Sequence, residues 1–380
     1  MKKKFVVMMM SIVLAFSAVA GCGTSTSKEN TTETTEAVEE ATEEASEEAT
    51  EEATEETTEE ATEEATEATE EEAEATTFEV SEDGTVVDRS GNEIKLPEKT
   101  DAIISMAPSI TRVLIDLGLA DNIVACDTYS FGSYGSELKA DIPQFDMMAP
   151  DQEQLVALSA DVIFTTGMSQ AGGTDVYESV RESGALITDI PSSTSLQGIE
   201  DDIRFIGLVV NKEDDADAMV SHMQTVIDQI AEIAATIPEE EKKSVLFELY
   251  TPSADNPVIY TAGNGTYINE MLELVGAKNI AANEADQWPA LSEEAAVAAN
   301  PDVILTADMY TPDVINTILT MEGWENVTAI TNSDVYMLDS DEVNQPNQHV
   351  ISALIAMAKA IYPEQFADFE ESEGELEPAA

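Results

Sequence analysis

From Asp101 onward, short apolar runs alternate with stretches in which apolar residues recur at helical spacing. This alternation is typical of βα units, whose strands pair in parallel and whose helices cover the faces of the sheet. Strands are predicted at residues 102–105, 123–126, 162–165, 186–189, 245–249 and 303–306. Helices are predicted at residues 110–117, 153–158, 177–182, 267–275 and 293–299, three of them with caps at Ser109, Asp151 and Ser292. The pattern therefore predicts an α/β fold.

The second half of this region repeats the first. Glu153 precedes Asp161-Val162-Ile163, and Glu294 precedes Asp302-Val303-Ile304, at a constant offset of 141 residues. Related βα halves predict two lobes of similar architecture. Chance similarity between βα units is the alternative explanation.

A long apolar helical face lies between the two halves. Between residues 203 and 237, apolar residues follow the three-four spacing of one helix face, starting near Asp214 or Asp215 and ending before Pro238. We expect residues 201–237 to form a linking helix between a lobe at 78–200 and a lobe at 238–365. A helical connection is stiff, so any opening of the lobes should be small.

The N-terminus has the pattern of an export signal. Lys2, Lys3 and Lys4 precede an apolar run that is too short to span a membrane. The run ends Val19-Ala20-Gly21-Cys22, which resembles a bacterial lipobox, so residues 1–21 are expected to be removed and Cys22 to carry lipid. An ordinary signal peptide with a chance cysteine is the alternative. The expected location is the extracytoplasmic face of the cell membrane, with a lipid anchor.

An acidic segment follows the signal. Residues 22–77 are rich in Thr, Glu and Ala and contain too few large apolar residues to form a core, so we expect a disordered tether. A coil of about 50 residues spans roughly 40 Å root-mean-square. A second acidic segment, 366–380, is expected to be a tail. The whole chain has a formal charge of −62, which repels phosphate backbones and excludes nucleic-acid binding.

Four segments carry a resemblance to a known family. They are Ser105-Met106-Ala107-Pro108-Ser109-Ile110-Thr111, Gly263-Asn264-Gly265-Thr266-Tyr267-Ile268, Gly276-Ala277-Lys278-Asn279-Ile280 and Trp288-Pro289-Ala290-Leu291-Ser292-Glu293-Glu294. Their order and spacing resemble those of helical-backbone (class III) substrate-binding proteins, which serve ABC importers of cobalamin, ferric siderophores and haem. The resemblance extends from Asp101 to about Pro363.

The resemblance implies an α/β fold with two Rossmann-like lobes, joined by a long rigid backbone helix, with the ligand cleft between the lobes. It implies a non-enzymatic lipoprotein receptor that delivers a chelate-type nutrient to an ABC permease dimer and its ATPase. No cofactor is expected, although the ligand itself would be a metal chelate. We expect a monomer, and the lipobox and tether fit a Gram-positive member.

The same resemblance assigns candidate residues. In this family one exposed glutamate on each lobe docks onto arginines of the permease, and the equivalent positions are Glu153 and Glu294. A helix-dipole role for two solvated glutamates is the alternative. The ligand is expected in the cleft, near the loops that follow the strands. The candidate ligand residues are Pro108, Ser109, Tyr129, Met147, Met168, Tyr250, Trp288, Tyr310 and the loop 339–348.

Two departures from the family pattern bear on the ligand. Arg112 stands where the family usually has a glutamate, and residues 344–348 lack the arginine that many relatives carry there. Anionic chelates need cationic clamps, so the scarcity of Lys and Arg favours a neutral or cationic ligand, such as cobalamin or a ferric hydroxamate.

Three other functions are weighed against this one. Gly167-Met168-Ser169-Gln170-Ala171 is close to a nucleophile elbow, with His349 as a possible base, which would suit a secreted serine hydrolase. A metal-ion-binding lipoprotein would rely on Asp and Glu ligands, because the chain has only two histidines. A sensor lipoprotein would bind the same ligand without transport.

Overall fold

The structure is a computed structural model that describes residues 76–167, 175–253 and 256–370. The contacts divide the chain into residues 1–70 and 71–380, and the described residues belong to the second unit. The predicted signal, Cys22, most of the tether, Met168 and residues 371–380 lie outside the described residues. Within the described ranges, no helix has both the length and the apolarity needed to cross a membrane.

A short hairpin precedes the first lobe and pairs β1 with β2 in antiparallel fashion. A parallel five-stranded sheet follows, with the strand order β5-β4-β3-β6-β7. The strands are β1 Thr85–Val87, β2 Glu93–Lys95, β3 Ile103–Ser105, β4 Ile123–Asp127, β5 Gln144–Phe145, β6 Val162–Thr165 and β7 Ile187–Asp189. The helices are α1 Pro108–Asp116, α2 Thr128–Tyr134, α3 Gln152–Leu158 and α4 Glu178–Glu182. The predicted α/β class is confirmed.

The second lobe has a parallel four-stranded sheet with the order β10-β8-β12-β13, beside the antiparallel pair β9 and β11. The strands are β8 Ser244–Glu248, β9 Val258–Tyr260, β10 Lys278–Asn279, β11 Ala290–Ser292, β12 Val303–Thr306 and β13 Val335–Met337. The helices are α7 Tyr267–Leu274, α8 Glu293–Ala299, α9 Val314–Leu319, α10 Thr328–Asn332, α11 Ser340–Asn344 and α12 Val350–Ile361.

The hydrogen bonds confirm the predicted repeat. The backbone N–H of Ala102 donates to Oδ2 of Asp161 at 2.9 Å, and Asp161 N donates back to the Ala102 carbonyl at 2.8 Å. Ser244 and Asp302 make the same two bonds in the second lobe, at 2.8 and 2.9 Å. Each aspartate thereby ties the start of β6 or β12 to the start of the neighbouring strand.

Two helices join the lobes. α5 spans Leu196–Val209, and α6 spans Glu213–Ala234, so the predicted linking segment 201–237 is divided between them. The chain turns between these helices at Asn211, which has a φ of +56°. The apolar face predicted for the long helix is the one that α6 buries. Burial of one such side chain contributes about 1.5–3 kcal/mol.

The two linking helices approach each other closely at Gly207. A Cβ on Gly207 would lie 2.4 Å from the Cβ of Ala216 on α6. The large apolar cluster of the molecule contains residues of both sheets together with α5, α6 and α12, so the lobes share one core. Phe366 and Phe369, in the segment predicted as a tail, are buried in that cluster.

Two of the three predicted helix caps are confirmed. Oδ1 of Asp151 accepts from Gln154 N, and the hydroxyl of Ser292 accepts from Ala295 N. The prediction for Ser109 was wrong, because α1 begins two residues earlier than predicted. Its N-cap is Ala107, with no side-chain cap, and Pro108 follows. Proline suits the first position of a helix because its φ is preset there and it has no N–H to satisfy.

Candidate ligand cleft

The chain connections that follow the carboxyl ends of the parallel strands form one edge of each sheet, called here the cleft edge. Ligands of α/β proteins bind at such an edge. Four predicted ligand residues lie there: Ser109 after β3, Tyr129 after β4, Tyr250 after β8 and Tyr310 after β12. Pro108 precedes Ser109 in the first turn of α1, and both are half-buried.

The three tyrosines are neighbours even though they come from different lobes. The rings of Tyr250 and Tyr310 stack with centroids 6.1 Å apart and an interplanar angle of 24°. Burial raises the pKa of Tyr129, and the neighbouring phenol of Tyr310 raises it further. All three rings remain substantially exposed, at 49, 46 and 69% for Tyr129, Tyr250 and Tyr310. They form the tyrosine cluster, an open aromatic surface that both lobes contribute to.

A buried aspartate supports the tyrosine of the first lobe. Oδ1 of Asp127 accepts from the backbone N–H groups of Tyr129 at 2.9 Å and Ser130 at 3.0 Å. The hydroxyl of Ser130 donates to Oδ2 of the same aspartate. Asp127 is therefore the N-cap of α2, and it fixes the position of Tyr129 in the first turn of that helix. Burial raises the pKa of Asp127, although these hydrogen bonds oppose the increase.

The second lobe uses the same arrangement. Oδ1 of Asp308 accepts from the N–H groups of Tyr310 at 2.9 Å and Thr311 at 3.1 Å. Its Oδ2 accepts from the Thr311 hydroxyl at 2.6 Å and from Thr251 N at 2.9 Å. Asp308 thus holds both loops that carry the stacked tyrosines. Burial would raise the pKa of Asp308, but these hydrogen bonds outweigh it and lower that pKa below its ordinary value.

Sequence reasoning missed both aspartates. The signal was present as the pattern Asp-x-Tyr-Ser/Thr, which occurs as Asp127-Thr128-Tyr129-Ser130 and as Asp308-Met309-Tyr310-Thr311. Aspartate followed by a hydroxyl residue three positions later is an Asx-turn or N-cap signal. Each pattern follows a predicted strand, so both tyrosines could have been assigned to the same kind of turn.

A third buried acid was also missed. Glu248 ends β8, is fully buried, and both of its carboxyl oxygens lack a hydrogen-bond partner among the described residues. Burial, with the nearby charges of Asp308 and Glu293, raises the pKa of Glu248 to about 8. The carboxyl group is therefore largely protonated at neutral pH. The sequence signal was an acidic residue closing the apolar run Val245-Leu246-Phe247.

Polar contacts join the lobes beside the cleft. The Ser133 hydroxyl on α2 donates to Asp341 on α11 at 3.1 Å, and the Tyr134 hydroxyl donates to Gln345 at 2.5 Å. Further along α1, Oδ2 of Asp116 lies 2.8 Å from Nε2 of His349 and also accepts from Gln348. Residues 344–348, which are expected near the ligand, thus also form hydrogen bonds that connect the two lobes.

Arg112 is held by two carboxylates and lies over an aromatic ring. It forms ion pairs with Asp116 and with Glu137, the latter at 2.8 Å, and its guanidinium lies 5.1 Å from the ring centroid of Tyr134. Burial would raise the pKa of Asp116, but the hydrogen bond with His349 and the charge of Arg112 lower it. Arg112 and both histidines line a cavity of about 410 Å³ between α1, α6 and α12.

The other predicted ligand residues are less closely associated with the tyrosine cluster. Met147 is half-buried and packs against the core of the first lobe. Trp288 is 42% exposed on the connection between β10 and β11. In the described parts of the chain, no ring contact joins Trp288 to a tyrosine. Met168 lies outside the described residues.

Glu153 and Glu294 occupy equivalent places. Each is the second residue of its helix, α3 or α8, and each side chain is exposed. Neither carboxylate has an ion-pair partner within the described ranges. The two glutamates are therefore free to contact a partner on matching helices of the two lobes.

Of the possible nucleophile elbow, only Gly167 is described, and the candidate base His349 contacts Asp116 on α1. Across the residues that the structure describes, no group of three or more His, Cys, Asp or Glu side chains is placed to hold a metal ion. Cys126 is buried, and burial raises the pKa of its thiol to about 12.

The architecture, two parallel α/β sheets joined through α5 and the long helix α6, agrees with the comparisons to known proteins. A family model described as periplasmic binding protein matches residues 103–342. The chain belongs to this family. The resemblance inferred from the four sequence segments is thereby confirmed.

Individual relatives agree with the family. The uncharacterized ABC transporter substrate-binding lipoprotein YvrC of Bacillus subtilis is 29% identical over 75% of this chain and 87% of its own. A cobalamin-binding protein of Halobacterium salinarum is 26% identical over 72% of this chain and 73% of its own. The crystal structure of a possible iron-binding (periplasmic solute-binding) protein from Staphylococcus epidermidis superposes with a TM-score of 0.59. It is 28% identical over 70% of this chain and all of its own.

These matches support the predicted role. This periplasmic binding protein is a substrate-binding protein of the ABC transporter type, and it acts outside the cytoplasm. Its relatives are named as binding proteins rather than as enzymes. The expected absence of catalysis in this chain stays a prediction.

Proposed function

We propose that this protein captures a cobalamin-type or ferric-siderophore chelate in the cleft between its lobes and delivers it to the permease of an ABC importer. The tyrosine cluster is the observation that carries this proposal. Tyr129 comes from one lobe and Tyr250 and Tyr310 from the other, and all three side chains remain substantially exposed. Aromatic faces suit a large, flat, partly apolar ligand. The cobalamin-binding and iron-binding names of relatives agree with this ligand class.

We infer that the protein is held at the membrane by lipid on Cys22 and that the acidic segment 22–77 is its tether. The lipobox-like junction supports this, as does the lipoprotein name of the Bacillus subtilis relative. A diacylglycerol has two acyl chains, which give stable anchoring where a single chain does not. The tether then keeps the binding unit near the permease.

We also propose that Glu153 and Glu294 dock onto the permease dimer. Their equivalent, exposed positions on α3 and α8 support this role. Two carboxylates related by the internal repeat present a pseudo-two-fold charge pattern to a two-fold partner. Such rim charges contribute mainly to the rate and orientation of docking.

The test of the proposed function is a calorimetric titration of the whole lipoprotein, held in detergent, against cobalamin, cobinamide, haem and a panel of ferric siderophores. The expected result is one-to-one binding with a Kd below 1 µM (about −8 kcal/mol) for one ligand class. Tyr310→Ala should weaken that binding, whereas Tyr336→Ala, on the parallel strand β13, should not. No heat of binding across the whole panel would contradict the chelate assignment.

A further inference from the structure

Acidic side chains predominate over basic ones at the cleft edge. Within the described residues, the connections that leave the carboxyl ends of the parallel strands contain eight Asp and Glu residues and no Lys or Arg. Asp127 and Asp189 stand at the ends of β4 and β7, and Glu248 at the end of β8 adds no full charge because its carboxyl group is largely neutral. A cleft lined by charges of one sign focuses the electric field and concentrates ligands of the opposite sign. An anionic ligand would therefore be repelled before it reached the tyrosines.

Two arginines approach this edge, but neither provides an uncompensated positive charge. Arg181 pairs with Asp175 and Asp189 at 2.5 and 2.6 Å, beside the outer strand β7. Arg89 pairs with Asp202 at 2.6 Å and with Asp201 at 3.8 Å. Each guanidinium thus has two carboxylate partners. An Arg held in this way cannot act as a clamp for a carboxylate or catecholate without losing its own ion pairs.

The tyrosine cluster adds a second reason to expect a positive ligand. The face of an aromatic ring carries partial negative charge and attracts cations. Tyr250 and Tyr310 stack, and the chain turns that present Tyr129 and Tyr310 are built on the carboxylates of Asp127 and Asp308. These carboxylates accept backbone N–H groups, so they act on the ligand through their field and by holding the rings in place.

We propose that the cleft selects a ligand that bears net positive charge, such as a cationic corrinoid or a cationic ferric hydroxamate, and rejects anionic chelates. This proposal rests on the proposed function and names its substrate class. The acidic cleft edge raises the local concentration of the cation, and the rings of the tyrosine cluster bind it. Residues of both lobes therefore contribute to the preference for a positively charged ligand.

Two matched ligand pairs test charge while keeping shape. Aquacobalamin is cationic and cyanocobalamin is neutral, and ferrioxamine B carries one ammonium group that its N-acetyl derivative lacks. Haem, with its two propionates, is the anionic ligand of the panel. In titrations of the whole lipoprotein at low salt, we expect the cation of a pair to bind about tenfold more tightly than its neutral partner. The ratio should fall at high salt, because screening weakens the field of the edge.

Two substitutions of Tyr310 separate the effect of the aromatic ring from the effect of apolar bulk. Tyr310→Phe keeps the aromatic face and should keep the preference for the cation. Tyr310→Leu keeps apolar bulk without the π-electrons, so it should bring the ratio of the two affinities towards one while the neutral ligand still binds. Circular dichroism of both variants confirms that each is folded before their affinities are compared.

The outcomes distinguish this proposal from the broader one. If the neutral member binds as tightly as the cation, or haem binds more tightly than either, selection by positive charge is wrong and the chelate receptor stands. If no member of the panel binds, the chelate assignment itself fails, and the charge selection fails with it.

Discussion

Glu248 shows how one residue can connect stability to pH. Leu246, two positions earlier on β8, packs with Ile304 and Trp324, and strand alternation places Glu248 on that same face of the sheet. A carboxyl group in this position is buried without a hydrogen-bond partner among the described residues, which favours its neutral form. Folding therefore keeps a proton on Glu248 that the unfolded chain releases above its ordinary pKa.

The first prediction concerns Glu248→Gln. Because the folded pKa is about 8 and the ordinary value is 4.5, the unfolded state loses the proton first as pH rises. The free energy of unfolding should therefore fall between these two values, by up to about 5 kcal/mol for this one group. Glutamine is neutral at every pH and should remove this fall. Denaturant unfolding of both proteins from pH 5 to 8 measures the difference.

The control for that experiment is Glu232→Gln, a substitution of an exposed glutamate on α6. It should leave the pH dependence of unfolding unchanged. If the Glu248 variant also has the same pH dependence as the original protein, Glu248 is ionised in the folded state and the argument for its neutral form is wrong.

Asp308 is the positioning residue of the tyrosine cluster. In Asp308→Asn, the amide nitrogen would replace an oxygen that accepts from Thr311 or Thr251 and would face a donor instead. We expect a loss of about 1–3 kcal/mol in stability and about tenfold in ligand affinity. Near-ultraviolet circular dichroism should report the displaced stack of Tyr250 and Tyr310. Asp313→Asn, in the same connection but without a capping hydrogen bond, should change neither quantity.

At the scale of elements, the contact between α5 and α6 is set by side-chain size. The spacing of apolar residues predicts the buried face of α6, and this face is observed. The hairpin of two helices depends on Gly207, because a larger residue there would meet Ala216. The spacing of apolar residues along one helix does not indicate which residues of another helix it will contact. The break between α5 and α6 at Asn211 was therefore not predicted.

Gly207→Ala should destabilise the protein. Alanine favours helix by up to about 1 kcal/mol, but the contact with Ala216 is overpacked and costs typically about 1–3 kcal/mol. Adding Ala216→Gly should recover the overpacking loss, which a double-mutant cycle in denaturant measures. Gly132→Ala, on α2 with open space around the new methyl group, should not destabilise. Additive effects at positions 207 and 216 would contradict a direct contact.

At the scale of the whole molecule, the internal repeat places corresponding residues on corresponding helices. Asp161 and Asp302 make matching bonds at the starts of β6 and β12. Glu153 and Glu294 are consequently displayed at matching points of two lobes that share one core. A stiff frame of this kind keeps the distance between the two carboxylates nearly constant, which suits docking to a two-fold partner.

The fourth prediction tests docking separately from binding. Glu153→Ala combined with Glu294→Ala should abolish ligand uptake by cells while leaving the Kd of the lipoprotein for the same ligand unchanged. Cellular uptake of labelled ligand and calorimetry of the isolated protein measure the two effects. The control is Glu178→Ala with Glu322→Ala, two exposed glutamates elsewhere on the lobes. Normal uptake by the first double variant would refute the docking role.

Local interactions explain why so much of the fold could be read before the structure was known. The apolar runs at residues 162–165 and 303–306 became β6 and β12 with the same bounds, and Asp151 and Ser292 became caps. Strand alternation, helical spacing and capping each depend on residues within a few positions of one another, so the sequence contains them directly. The acidic character of the cleft edge is likewise a property of composition.

The tertiary structure alone decided which of these residues meet. Tyr129 and Tyr310 are 181 positions apart in the chain, and they become neighbours only because the two lobes pack around a shared core. Glu248 is a neutral acid because surrounding elements exclude water from it, and the charge of Arg112 is compensated because Asp116 and Glu137 both pair with it. Such pairings depend on packing between distant elements, and no periodicity along the chain encodes them.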